Sequence, residues 1–248
     1  MKGIIIQHPL EIRVAVEGDA FCQGDSLCCA LTIKNHSNQP QTIATPRLEL
    51  VLGNIKKVKQ RSTDAFSEPR IAPLSPLTIA PSEMATLSHT FQLEPNCAVS
   101  DKSQSLYLVF GEGEGIPAGQ LPLTVHPHLH MQKVLELMES AFQFVLRDIT
   151  YSKGWVVGRF KASSARQFSL VEELALRLQR REDCLALQYE FKVKRFDTEL
   201  SSVSVKKGKA TLDQSWPHAQ YLIGGAHVDY EAAEKRIHEA LSTVATGI

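Results

Sequence analysis

The sequence predicts a mainly β chain: an antiparallel β-sandwich over residues 1–127, then a smaller α+β domain over 128–248 with an antiparallel hairpin and flanking helices. Three observations carry that prediction. Apolar and polar residues alternate in short segments through the first half, as strands with one buried face require. After His130 the apolar spacing lengthens to three and four, the stripe of an amphipathic helix. Two strongly alternating segments then return on either side of a charged turn, which is a hairpin signature.

Taken in order, Ile12, Val14 and Val16 alternate with Arg13, Ala15 and Glu17 until the turn CQGD. Leu27, Cys29, Leu31 and Ile33 form the next strand, ended by NHSNQP. Leu48, Leu50 and Leu52 make a third, and Leu87, His89, Phe91 and Leu93 a fourth. SLYLVF (105–110) and GQLPLTV (119–125) complete a series separated by Gly, Pro, Asn and Ser turns, the pattern of a sandwich. No helical period shows in this half. Beyond the histidines, Met131, Val134, Leu135, Met138, Phe142 and Val145 predict a helix near 131–146. GWVVGRF (154–160) reads as a strand. Leu174, Leu176 and Leu178 face Leu185, Leu187, Tyr189, Phe191 and Val193 across QRRED (179–183). Asp229 is placed to cap a helix near 229–245, with Ala233, Ile237, Ala240, Leu241 and Val244 on one face. Trp155 and Trp216 read as core anchors.

Composition narrows the function. A hydrophobic content of 43% with 22% charged residues over 248 positions suffices for a real core. Twenty-seven basic side chains balance 27 acidic ones. Residues 1–127 hold 10 basic and 12 acidic groups, so neither half carries the basic field of a nucleic-acid binder. No apolar run approaches the ~18 residues of a membrane span, and the run after Met1 is short for a secretory signal. Five cysteines (22, 28, 29, 97, 184) without regular spacing make a poor disulfide framework. The expected compartment is the reducing cytoplasm.

Few motifs suggest chemistry. His126, His128 and His130, in HPHLH, are candidate metal ligands because alternate residues of an extended segment share a side. No CxxC or HExxH accompanies them, and the segment lies where one periodicity gives way to the other. It is therefore expected to be an exposed domain connection that binds no physiological metal. GEGEG (111–115) places glutamates where a phosphate loop needs cations, and reads as a hairpin loop. Lys56, Lys57, Lys59 and Arg61 form one basic cluster, and Lys206, Lys207 and Lys209 another. Both read as solvated turns or guarded edge strands, with contact to an anionic surface as the functional alternative. No nucleophile elbow or dinucleotide fingerprint is present, and no cofactor is predicted.

One resemblance adds to this. Leu10 to Asn38, with Gly18-Asp19, a GD turn at Gly24-Asp25 and Asn35, fits immunoglobulin-like sandwiches generally. TIAPSEMATLSHTFQLEPNCAVS (78–100) resembles the arrestin-like N-terminal domain, where an APxE turn leads into a strand ending F-x-L-P-x-N-x-P-x-S. Phe91, Leu93, Asn96 and Ser100 are kept. The family's proline is displaced by one at Glu94-Pro95, and Ala98 stands where proline is common. The resemblance covers the first half, and the second half is not matched to the usual second arrestin domain. That clan includes bacterial sporulation-control proteins and eukaryotic arrestins, so the resemblance implies a bacterial, non-enzymatic adaptor. The resulting expectation is a cytoplasmic adaptor or scaffold that binds a protein partner through a sandwich edge or an interdomain groove. The alternative is an enzyme or small-molecule binder with an interdomain site, and a third reading is association with an anionic membrane surface.

Overall fold

The structure, a computed structural model, describes residues 1–113, 115–161, 163, 168, 170–199 and 202–246; the side chains of 195–206 and 244–246 lie outside that description. The backbone divides into two compact units, Met1–His126 and Pro127–Ile248.

The first unit contains β1 (Lys2–Gln7), β2 (Leu10–Val16), β3 (Phe21–Cys22), β4 (Ser26–Asn35), β5 (Gln41–Ile43) and β6 (Pro46–Asn54). It continues with α1 (Ile55–Lys59), β7 (Phe66–Ile71), β8 (Leu77–Ile79), β9 (Met84–Gln92), β10 (Gln104–Glu112), β11 (Gly119–Pro122) and β12 (Val125–His126). One four-stranded sheet has the order β1-β2-β4-β9 and the other β11-β10-β6-β7. Alternation decides what lies between them. Ile12, Val14, Leu31 and Ile33 of the first sheet share one buried cluster with Leu48, Leu50, Leu108 and Phe110 of the second. Cys29 is buried and its neighbour Cys28 exposed, as successive residues of a strand must be.

The short helix α1 was not expected from the sequence. Five residues are too few to show a period, and α1 owes its place to one side chain. Val58 packs with Val51, Tyr107 and Val109, on the opposite face of β6 and β10 from the main core. Asn54 caps the helix, its Oδ1 accepting from the Lys57 amide at 3.1 Å.

The second unit comprises α2 (Leu129–Ser140), β13 (Val145–Ser152), β14 (Trp155–Lys161), β15 (Val171–Arg180), β16 (Cys184–Glu199) and β17 (Ser202–Pro217). It ends with β18 (Leu222–Ile223), β19 (His227–Val228) and α3 (Tyr230–Thr246). β13 to β17 form one antiparallel meander in chain order. The predicted hairpin is β15–β16, with Leu178 opposite Leu187, Leu176 opposite Tyr189 and Leu174 opposite Phe191. All six are buried. Gly158 of β14 lets α2 approach: a Cβ there would lie 2.5 Å from Leu135 Cδ2. Asp229 caps α3, its Oδ1 accepting from the Ala232 amide at 3.1 Å. Val244 of the predicted stripe falls among the side chains outside the description.

The helix expected near 131–146 is shorter. α2 stops at Ser140, Gln143 enters left-handed backbone (φ 56°), and the Phe144 amide closes on the Met138 carbonyl at 3.0 Å. Phe142 is buried just past the helix, so it continued the apolar stripe without belonging to it. Val145 instead opens β13 and is 55% exposed. Trp216 is fully buried, whereas Trp155 at the start of β14 is only partly so. Among the described residues no helix is long and apolar enough to cross a membrane.

Candidate functional site

The edges of the two sandwich sheets differ in how they are protected. A strand with an unpaired edge invites another chain, and Pro, Lys, bulges or a polar face usually discourage it. β11 carries Pro122, and β7 carries Pro69 with a register shift against β6. On β9 the side exposed to solvent presents Met84 at its start and then the polar run Thr86, Ser88, Thr90 and Gln92.

β1 carries no proline and no bulge, and its one guarding charge is Lys2 at its first position. It pairs with β2 alone, Gly3 opposite Val14, Ile5 opposite Ile12 and Gln7 opposite Leu10. Met1 and Val16 exchange two bonds, the Met1 ammonium donating to the Val16 carbonyl at 2.8 Å and the Val16 amide to the Met1 carbonyl at 2.9 Å. In an antiparallel ladder bonded and non-bonded pairs alternate, so Gly3, Ile5 and Gln7 bond to β2. The amides and carbonyls of Lys2, Ile4 and Ile6 then point away from β2. Ile5 packs against the core and Gln7 Oε1 accepts from the Glu112 amide at 3.1 Å, which anchors the strand. Ile4 and Ile6 are on the other face, 59% and 65% exposed. β1 therefore offers outward backbone groups flanked by two large apolar side chains.

The histidine segment lies at the boundary between the two units, but it is exposed only in part. His126 is exposed and belongs to β12, which pairs in parallel with β3. His128 caps α2, Nδ1 lying 3.2 Å from the His130 amide, and its Nε2 lies 3.1 Å from Arg180 Nη1. Both neighbours are donors, and a neutral imidazole has one acceptor nitrogen, so the two compete for it. His130 is buried. Its Nε2 donates to the Ala226 carbonyl at 3.1 Å, which leaves Nδ1 to accept from the Tyr221 hydroxyl at 3.4 Å. Neither ring has a lone pair to spare for a metal, and among the described residues no three His, Cys, Asp or Glu side chains are grouped to hold one.

This network makes a pH prediction. Burial first, then the Arg180 and His218 charges, hold His130 below its ordinary pKa of 6.5, while the Ala226 carbonyl acts the other way. A folded-state value below the unfolded one means that the stabilisation is complete above pH 6.5 and is lost as pH falls through the folded pKa. Both tryptophans lie in the second unit, so their fluorescence follows its melting. The melting temperature should fall from pH 7.5 to pH 5, and His130→Gln should flatten that slope. An unchanged slope in the variant would assign the pH dependence to other groups.

The basic clusters fall in different units. Lys56 and Lys59 are exposed on α1, Arg61 follows it in left-handed backbone (φ 53°), and Lys57 is paired with Asp64. Lys207 and Lys209 lie on β17, where Lys207 reaches Glu172 at 3.7 Å and Lys209 is exposed; the Lys206 side chain lies outside the described residues. GEGEG begins inside β10, whose last residues are Gly111 and Glu112, and only its remainder falls in the turn before β11, with Gly113 and Gly115 at φ 83° and 89° and Glu114 outside the description.

No family model matches the chain, and no curated protein matches its sequence. Among solved structures it is similar to the sporulation control protein Spo0M from Bacillus subtilis, at 17% identity and a TM-score of 0.64. That likeness covers 94% of this chain and 98% of Spo0M. A DNA-bound alkylpurine DNA glycosylase, AlkC from Pseudomonas fluorescens, matches 45% of the chain and 29% of its own length, at 10% identity and a TM-score of 0.27, a likeness too slight to support an argument. The arrestin-like resemblance of the first half is thus part of something larger: the whole chain, second half included, has a Spo0M-like fold.

Proposed function

We propose that this protein is a non-enzymatic cytoplasmic adaptor that takes an extended apolar segment of a partner protein along β1. The observation that carries this reading is the β1 edge beyond Lys2, with Ile4 and Ile6 exposed and their backbone groups directed away from β2. A strand added there gains main-chain hydrogen bonds, and its alternate side chains cover the two isoleucines. Burying two such side chains contributes roughly 1.5–3 kcal/mol each, which salt screens little. The Spo0M-like fold supports a regulatory role, and five free cysteines, Cys28 exposed among them, suit a reducing compartment.

The ladder geometry supplies the test. Ile4→Pro removes a donor that β2 does not use, so the sandwich should keep its melting temperature while partner binding is lost. Ile5→Pro removes a bonded donor and should destabilise the first unit as well. The measurement is binding of the full chain to a co-purified partner by calorimetry, with sedimentation to detect pairing of β1 with a second copy. Unimpaired partner binding by the Ile4→Pro variant would move the binding surface away from β1.

A further inference from the structure

We propose that the solvent face of the second unit's sheet holds a binding site for a phosphate-bearing group, centred on Ala175. On that face Ala175 lies between Arg159 and Glu190 in one cross-strand row, which continues to Thr211. The next row places Glu173, Lys192 and Lys209 side by side. Neighbours in such a lattice stand about 5 Å apart across strands and about 7 Å along them. A methyl group among long charged side chains therefore leaves a depression, and its volume is about 300 Å³. That is the lower end of the range for small-ligand sites.

Two β-bulges flank it. The register shifts on β13 between Leu146 and Asp148, and on β15 between Val171 and Glu173. A bulge bends its strand and re-aims a side chain. The extra residue on β13 is Arg147, which lines the depression. Four cations (Arg147, Arg159, Lys192 and Lys209) thus meet two carboxylates. The carboxylates are already engaged: Glu173 with Lys192 at 2.5 Å and Arg147 at 3.5 Å, and Glu190 with Arg177 at 2.7 Å. Arg159 is held only by a 3.4 Å contact with Asp148, and Lys209 has no ion pair or hydrogen bond among the described residues. Positive charge is left over on two sides of the depression, which Thr211 also lines. A planar guanidinium, a mobile ammonium and a hydroxyl donor suit phosphate oxygens.

The phosphate can arrive on a soluble molecule or on a lipid headgroup, and the experiment has an arm for each. The full chain is titrated with pyrophosphate, followed by calorimetry and amide NMR, and separately sedimented with phosphatidylcholine vesicles containing phosphatidic acid. Pyrophosphate is expected to shift the Ala175, Lys209 and Thr211 amides, with affinity falling as salt rises. Arg159→Glu with Lys209→Glu should weaken it at least tenfold, and Arg159→Gln with Lys209→Gln less. Ala175→Leu fills the depression without altering charge and should weaken it comparably. Arg159 and Lys209 are exposed, so the variants at those two positions should melt like the parent. Vesicle binding lost in the same variants identifies the lipid source; pyrophosphate binding without vesicle binding identifies the soluble one. Absence of both at millimolar concentration, or an Ala175→Leu variant that binds like the parent, overturns the proposal.

Discussion

Leu187→Ala is expected to destabilise the second unit by about 2–5 kcal/mol. Leu187 is 1% exposed, stands opposite Leu178 and lies in the strand between β15 and β17. Truncation removes buried methyls and leaves a cavity that sheet neighbours on both sides cannot close, because the backbone ladder fixes their spacing. The two tryptophans allow the loss to be measured in this unit alone, as a shift in urea midpoint with an unchanged slope. A change within about 0.5 kcal/mol would place Leu187 on the surface and reverse the orientation of the hairpin.

Trp216→Ala should cost more, about 3–5 kcal/mol. Its ring is fully buried on β17, opposite Leu185, with the Tyr221 ring 5.9 Å away. Its Nε1 donates to Gln214 Oε1 at 2.9 Å, and the same oxygen accepts from the Tyr189 hydroxyl at 3.3 Å. Truncation therefore removes the largest fully buried side chain and one donor from a shared acceptor. Trp216→Phe separates the two losses. It keeps most of the apolar area and should cost only about 1 kcal/mol for the hydrogen bond plus the smaller ring. Thermal unfolding followed by far-UV circular dichroism reads both. Equal losses in the two variants would show that the indole N–H, and not the packing, dominates.

What could be read from the sequence was whatever obeyed one period over several residues. Leu174 to Leu178 and Leu185 to Val193 alternate without interruption, so their strands, turn and buried face were all legible. β1 was not, because GIII is an unbroken apolar run beside the terminus. β13 was hidden by Phe142 and Val145, which extended the helical stripe by accident of spacing. β17 was hidden because ATLDQSW gives its core face only scattered apolar residues. The proposed sites were less legible still. Which strand has an unpaired edge depends on sheet order, which links residues tens of positions apart. The depression at Ala175 exists only because register brings Arg159, Glu190 and Lys209 around it. His130 was misread for the same reason: its partners Ala226 and Tyr221 come from the other end of the unit.

The two sheet orders also carry a kinetic consequence. In the second unit the strands from β14 to β17 each bond to the one before, so the pairings join neighbours in the chain and close cheaply. In the first unit β4 must find β9 and β6 must find β10, across intervening strands. Contacts between distant parts of a chain slow the search for the native state. Diluted from denaturant, the second unit should regain its tryptophan environment while the sandwich is still searching for its pairings. During that interval the unfinished first unit is the part of the chain most open to aggregation or to an assisting chaperone.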